Sequence, residues 1–106
     1  MVHCIEGTEG WEIVPELKEL AEGAEIFNKP TFGSMELAKV LGERAYAEIV
    51  FCGVCTGICV ISNAMLAKAA VFETPVSVVA NCCACVTPDS HNTALEAMKL
   101  CRIAIV

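Results

Sequence analysis

The chain has 106 residues, enough for one domain, with seven Lys and Arg against thirteen Asp and Glu and a formal net charge of −6. Apolar residues make up 56% of it and the mean hydropathy is +0.60, which excludes a disordered chain. Because no basic stripe is present to neutralise phosphates, the composition also argues against a nucleic-acid-binding protein.

The acidic side chains are concentrated near the N-terminus. Residues 1–28 contain seven Glu and one Lys, whereas residues 29–106 contain six acidic and six basic side chains. The glutamates recur every three or four residues, which is typical of a solvated helix face. Within this stretch the apolar pattern predicts a short helix over Glu12–Ala21 that ends at Gly23, and then a short strand over Ala24–Phe27.

The rest of the sequence alternates between helical and strand patterns. Ser34 is a candidate cap for a helix that continues over Glu36–Leu41 and stops at Gly42. The apolar run Glu48–Val54 predicts a strand buried on both faces. Further along, the patterns predict a buried helix over Gly57–Val71, a strand over Pro75–Ala80, a helix over Asn92–Leu100 capped within Thr87–Ser90, and a strand over Arg102–Val106. This alternation predicts an α/β domain with a mainly parallel sheet.

Neither an export signal nor a membrane span is expected. The start of the chain lacks the basic residues and apolar run of a secretory signal, so we expect a cytoplasmic protein whose eight cysteines are mostly thiols. The uncharged stretch Ile49–Ala67 reaches the length of a span, roughly 17–25 residues. Polar and glycine residues interrupt it, so we interpret it as strand, tight turn and helix.

The junction between the predicted strand Glu48–Val54 and the next helix has the strongest chemical signal. Cys59 lies in the first turn of that helix, where free backbone N–H groups stabilise a thiolate. Ligands of open α/β sheets bind at the carboxyl ends of the strands. Cys59 is therefore a candidate nucleophile, with nearby N–H groups as candidates to hold an oxyanion. A small buried apolar side chain is the alternative interpretation of this cysteine.

Several motifs resemble those of the isochorismatase-like cysteine hydrolases. Gly53–Val60 (GVCTGICV) looks like their nucleophile motif, and Phe27–Ser34 (FNKPTFGS) resembles their catalytic-lysine segment. His3–Gly10 (HCIEGTEG) resembles a stretch of the nicotinamidase-type members, and Ala80–Ala84 and His91–Met98 match the downstream strand and helix. The resemblance implies a doubly wound parallel sheet in three α/β/α layers and a small-molecule amide substrate.

The same resemblance implies roles for individual residues. Cys59 would attack the carbonyl carbon of an amide such as nicotinamide, ammonia would leave, and water would hydrolyse the thioester. Lys29 would lie beside the thiolate and stabilise its charge, although a solvated loop lysine is the alternative interpretation. The peptide bond before Cys55 would be cis, and the N–H groups of Cys55 and Cys59 would form the oxyanion hole.

Two parts of the family's catalytic machinery have no counterpart in the sequence. The family's general base is an Asp on its first strand, whereas Asp89, the sole Asp here, is interpreted as a loop or helix-cap residue. His3 matches a ligand of the divalent metal (zinc, manganese or iron) of full-length relatives, but its partners are absent and one His makes no site.

The family's first two strands also have no counterpart. We therefore expect residues 1–106 to be the C-terminal portion of a single domain, with a partial sheet and little or no activity alone. An exposed apolar sheet edge invites pairing, so we expect either a homo-oligomer or pairing with the missing N-terminal part.

Other functions remain open. The chain is alternatively a catalytically inactive remnant or a fragment completed by a partner. The spacings Cys52-x-x-Cys55 and Cys82-x-x-Cys85 suggest a zinc-binding protein, although the 26 intervening residues exceed the usual spacing. A thiol oxidoreductase would use Cys52 and Cys55, but Cys52 lies too early for a helix start.

Overall fold

The computed structural model describes residues 2–106, and helices alternate with parallel strands through most of them. The elements in chain order are a 3₁₀ turn at Glu9–Trp11, α1 (Pro15–Lys18), α2 (Met35–Arg44), β1 (Ile49–Val54), a π-helical turn at Thr56–Val60, α3 (Ile61–Ala70), β2 (Val76–Ala84), α4 (Pro88–Leu100) and β3 (Ala104–Ile105). The strands form one parallel sheet in the order β1-β2-β3. The predicted α/β class with a partial parallel sheet is therefore confirmed.

The pairing of β1 with β2 brings their carboxyl ends side by side. The register runs from Ile49 opposite Val76 to Val54 opposite Ala84, with a shift between Phe51 and Gly53. Since β2 pairs with β3 on its other side, β1 is an edge strand whose outer side pairs with no strand of residues 2–106. The turn that follows β1 therefore lies at an open margin of the sheet.

The hydrophobic core lies between one face of the sheet and the helices. Val76 and Val78 of β2 are buried there with Ala64 and Ala67 of α3, and Met98 of α4 is fully buried among them. Short side chains on α3 permit close packing of this helix on the strands. The core thus fixes α3 and α4, which hold the turn between β1 and α3.

The prediction that β1 is buried on both faces is wrong. Ile49 is buried, but Val50 is 52% exposed and Val54 is 68% exposed, so burial alternates along the strand. Alternate residues point to opposite faces, and the core helices cover only one of them here. An apolar strand face is consequently open to solvent beside the free edge.

Two predictions for the N-terminal region are also wrong. Helix α1 occupies only part of the predicted Glu12–Ala21 helix, and Leu17 and Leu20 of that stretch are exposed. Such a short helix is marginal without a surface to pack on. Residues Ala24–Phe27 form no strand because they pair with no neighbour in the described chain.

The remaining elements differ from the predictions mainly at their ends. Helix α2 continues through Gly42 to Arg44, and its C-cap residue Ala45 is in the left-handed conformation with φ 50°. The predicted Gly57–Val71 helix is divided into the π-helical turn and α3. Strand β2 extends to Ala84, α4 already begins at Pro88, and β3 is only two residues long. No helix within residues 2–106 combines the length and apolarity needed to cross a bilayer.

Candidate active site

Cys59 is carried by the tight turn Thr56–Val60 that directly follows β1. The backbone N–H groups of Ile58 and Val60 both donate to the carbonyl oxygen of Cys55, at 3.0 and 3.1 Å. The Val54–Cys55 peptide bond is cis, as the resemblance implies. These contacts give the turn a defined shape and leave Cys59 partly exposed at the carboxyl end of the strand.

Lys29 lies beside the Cys59 sulfur. Its Nζ donates to Cys59 Sγ at 3.3 Å and to the carbonyl oxygen of Thr31 at 3.4 Å. The two functional groups are 30 positions apart in sequence, and the fold brings them together. A positive charge at this distance stabilises negative charge on the sulfur, so the pair is suited to hold a thiolate.

Asn63 links the loop that carries Lys29 to the turn that carries Cys59 through hydrogen bonds. Its Nδ2 donates to the carbonyl oxygens of Cys59 and Phe32, at 2.8 and 3.0 Å, and its Oδ1 accepts from the Ser34 backbone N–H at 2.8 Å. Asn63 and Ser34 are both buried. Buried, fully hydrogen-bonded amides of this kind fix the relative position of two segments.

A second buried contact attaches the same turn to α4. Thr56 is completely buried, and its Oγ1 lies 2.6 Å from Nδ1 of His91. At Gly57, an added Cβ would lie 3.4 Å from Ala94 Cβ and 3.5 Å from Cys85 Sγ. The turn is therefore packed closely against α4 on one side and held by Asn63 on the other.

Cys59 faces a pocket of about 240 Å³ at the margin of β1. The lining is mostly apolar and consists of Leu37, Phe51, Cys52, Gly53, Val54, Cys59, Val60 and Asn63. Lys29 lines a second cavity of about 320 Å³, together with Cys4, Glu6 and Trp11 of the N-terminal region. An apolar pocket beside a paired thiol suits a small, mostly apolar substrate.

Three thiols near the turn are in different environments. Burial raises the pKa of Cys55, and proximity to Cys85 adds to this effect. Burial likewise raises the pKa of Cys83. By contrast, the pKa of Cys85 is lowered, first by its interaction with the Ser90 side chain and then by that with the Gly57 backbone. Hydrogen bonds to the thiolate favour the charged form, whereas burial disfavours it.

The residues that the sequence suggests as metal ligands do not come together as a metal site. His3 is exposed in the N-terminal region, and no group of three or more His, Cys, Asp or Glu side chains in residues 2–106 is arranged to hold a metal ion. The cysteines of both C-x-x-C spacings are free thiols. Asp89 lies in the first turn of α4, at a helix N-terminus where carboxylates are favourable. The residues present therefore do not fit a metal centre.

The sequence alone indicates no role for Asn63, Thr56 or His91. One signal was available for Asn63, because it is a polar residue inside the uncharged apolar stretch Ile49–Ala67. A polar residue in such a stretch is expected to find buried partners. The pairing of Thr56 with His91 spans 35 positions and has no local signature.

Comparison with known proteins finds solved structures that share this fold. The chain is similar to the crystal structure of a nicotinamidase from Bacillus subtilis, with a TM-score of 0.81, 30% identity, and coverage of 100% of this chain and 62% of that one. It is also similar to a pyrazinamidase of Pyrococcus horikoshii solved in complex with zinc, with a TM-score of 0.77, 31% identity, and coverage of 99% and 61%. A nicotinamidase from Staphylococcus aureus gives a TM-score of 0.81, 26% identity, and coverage of 98% and 70%.

The chain thus spans somewhat more than half of the length of these solved relatives. A family model described as the isochorismatase domain matches residues 1–106, which is the whole sequence. Together with the parallel sheet, this match shows that the chain belongs to the isochorismatase family of hydrolases.

Proposed function

We propose that this chain carries the nucleophile of a nicotinamidase-type cysteine amidohydrolase. The observation that carries the proposal is the 3.3 Å contact between Lys29 Nζ and Cys59 Sγ, beside a mostly apolar pocket at the end of β1. A thiolate stabilised by a cation is the activated form of a cysteine nucleophile. Hydrolysis of nicotinamide or pyrazinamide is the activity named for the solved relatives.

In the proposed reaction the Cys59 thiolate attacks the carbonyl carbon of a small primary amide. The carbonyl π electrons move to oxygen, and the N–H groups of Cys55 and Cys59 hold the resulting oxyanion. Collapse of this intermediate breaks the C–N bond, and the departing nitrogen takes a proton to leave as ammonia. Water then attacks the thioester carbonyl and gives one proton back to the group that protonated the nitrogen, so that the carboxylic acid is released and the sulfur leaves as the Cys59 thiolate.

The step that this chain supports poorly is proton transfer to the leaving nitrogen. An amine leaves an amide only when it is protonated, which requires a general acid or base close to the sulfur. Among residues 2–106, the side chains that hydrogen-bond to Cys59 are those of Lys29 and Asn63, and neither is a carboxylate. We therefore propose that a carboxylate on a further polypeptide segment completes the site, and that the 106-residue chain alone has little turnover.

The free margin of β1 is where we propose that this segment binds. The outer edge of β1 pairs with no described strand, and Val50 and Val54 are exposed beside it. The Cys59 pocket is lined by residues of the same strand, so a strand added there would bring its side chains next to Cys59. Residues 1–106 would then be the C-terminal portion of one domain, and a catalytically inactive remnant is the alternative.

The suggestion of a divalent metal rests only on solved relatives of this chain. The Pyrococcus horikoshii pyrazinamidase was solved with zinc, but within residues 2–106 no group of three or more His, Cys, Asp or Glu side chains is arranged to hold a metal ion. No step of the proposed reaction therefore passes through a metal.

We also infer a cytoplasmic location, which the free state of all eight cysteines supports.

The direct test of turnover is ammonia release from nicotinamide by the 106-residue chain, with Cys59→Ala as its matched control. We expect both proteins to release ammonia at the same background rate, because the proton donor is missing. Robust release that disappears in Cys59→Ala would support the amidase activity but contradict the proposed incompleteness.

A further inference from the structure

Two cysteines follow the last paired residues of neighbouring strands. Val54 of β1 is opposite Ala84 of β2, so Cys55 and Cys85 each lie one residue beyond the paired segment. Neighbouring strands are about 4.8 Å apart, and a disulfide needs Cα atoms roughly 4.4–6.8 Å apart. The two thiols also lie close enough to influence each other, since each contributes to the shifted pKa of the other. Their placement directly after a pair of opposed residues makes the two cysteines candidates for a disulfide.

We propose that Cys55 and Cys85 are a redox-active pair that closes a reversible disulfide across the carboxyl ends of β1 and β2. This modification site is independent of the amidase proposal, because neither sulfur takes part in that reaction. Both thiols are partly exposed, so a small oxidant reaches them without unfolding of the chain.

The surroundings of Cys85 identify it as the attacking thiol. Ser90 and the backbone of Gly57 lie close to its sulfur, and an added Cβ at Gly57 would lie only 3.5 Å from that sulfur. These contacts lower the pKa of Cys85, whereas burial raises that of Cys55. The thiolate is the form that attacks disulfides, so Cys85 reacts first and Cys55 resolves.

The oxidant is a low-molecular-weight disulfide such as oxidised glutathione. The Cys85 thiolate attacks one of its sulfurs, which breaks the S–S bond, forms a mixed disulfide and releases one glutathione thiolate. Cys55 then loses its proton and attacks the Cys85 sulfur, which forms the protein disulfide and expels the second glutathione. The protein loses two electrons and two protons, and the oxidant becomes two glutathione thiols.

The disulfide would also act on the turn that carries Cys59. Cys55 accepts the backbone hydrogen bonds of Ile58 and Val60, so its position defines the base of that turn. A covalent link to Cys85 would tie this base to β2.

The test is disulfide mapping of the folded 106-residue chain in a series of reduced-to-oxidised glutathione ratios, with alkylation of the remaining thiols and mass spectrometry. The same oxidation in guanidinium is the comparison. An unfolded chain favours short loops, such as those closed by Cys52–Cys55 or Cys82–Cys85. We expect the folded chain to yield Cys55–Cys85 as its main linkage, and dithiothreitol to reverse it. The same mixture of linkages in both conditions would overturn the proposal.

The matched variants are Cys85→Ser and Cys101→Ser. Cys101 is an exposed thiol at the end of α4, so its variant is expected to keep the Cys55–Cys85 linkage. Cys85→Ser is expected to leave Cys55 reduced or in a mixed disulfide. If Cys55 instead forms an intramolecular disulfide equally well in Cys85→Ser, the proposed pairing is wrong. Circular dichroism tests whether each variant is folded. If a variant does not fold, the comparison of the folded unaltered chain with the denatured chain still decides whether Cys55 pairs with Cys85.

Discussion

Cys83 and Cys85 lie two positions apart near the end of β2, and their pKa values are shifted in opposite directions. Burial raises the pKa of Cys83, whereas hydrogen bonds from Ser90 and Gly57 lower that of Cys85. The reactive thiolate therefore forms at lower pH on Cys85 than on Cys83. We expect the alkylation rate of Cys85 by iodoacetamide to rise at lower pH than that of Cys83, when each is measured by peptide mass spectrometry.

Ser90→Ala serves as the control for this pH dependence. It removes the largest contribution to the lowered pKa of Cys85, so the alkylation profile of Cys85 should move to higher pH. The profile of Cys83 should not move. Identical profiles for the two cysteines in the unaltered chain would contradict the assigned environments.

Asn63 holds the loop that carries Lys29 against the turn that carries Cys59. Asn63→Ala would leave the Phe32 carbonyl and the Ser34 N–H without their partner. Loss of such buried hydrogen bonds costs about 2 kcal/mol in the free energy of unfolding. Urea denaturation measures this loss, and Asn92→Ala on the exposed side of α4 is the matched control, with an expected change within about 0.5 kcal/mol. Equal effects of the two substitutions would refute the linking role.

At the scale of single elements, the start of α4 gives a clear test of local sequence rules. The Thr87 Oγ1 accepts from the Ser90 N–H at 3.1 Å, and the Ser90 side chain accepts in return from the Thr87 N–H at 3.1 Å. Thr87→Ala should lower the free energy of unfolding by about 1 kcal/mol, whereas Thr87→Ser should preserve it. Thermal denaturation compares the two, and a Thr87→Ala variant as stable as Thr87→Ser would show that this cap is unimportant.

Local signals of this kind were predictable from the sequence. Ser34 was identified as a helix cap, and its Oγ does accept from the Leu37 N–H at 3.0 Å. Helix ends were less predictable where a tertiary contact decides them. Gly42 was expected to stop α2, but this helix packs along α3 and continues to Arg44. Packing of an amphipathic face outweighs the modest helix preference of one glycine.

The N-terminal region shows why an apolar sequence pattern alone does not establish a strand. The predicted strand Ala24–Phe27 has a suitable apolar pattern, but a strand exists only where a neighbour supplies hydrogen bonds. In the structure this region is attached to α2 by an ion pair between Glu25 and Arg44 instead. Likewise, the contact between Lys29 and Cys59 follows no local rule, and only the family resemblance suggested it before the fold was known.

At the scale of the whole molecule, the open face and edge of β1 should promote association. Val50 is exposed on this strand, and an unpaired apolar edge is a template for pairing with another chain. We expect the isolated chain to self-associate in sedimentation velocity experiments at micromolar concentration. Val50→Lys should shift it toward monomer, because a charged side chain on an edge strand opposes pairing.

Val2→Lys is the control for this experiment, since Val2 is 83% exposed but lies outside the sheet. Both variants change the net charge equally, so a general effect of charge would shift both. A monomeric unaltered chain, or equal behaviour of the two variants, would show that β1 is not the contact surface.

The central claim is that Cys59 is a nucleophile assisted by Lys29, and acylation by 4-nitrophenyl nicotinate tests it most directly. The nitrophenolate leaving group needs no proton, so the test does not depend on whether the proposed carboxylate completes the site. We expect acylation of Cys59 ahead of the other seven thiols, and a rate about fivefold lower in Lys29→Gln, given about 1 kcal/mol for a partly exposed charge pair. Lys39→Gln, on α2, should leave the rate unchanged. Acyl groups spread evenly over the cysteines, or equal rates in the two lysine variants, would contradict the claim.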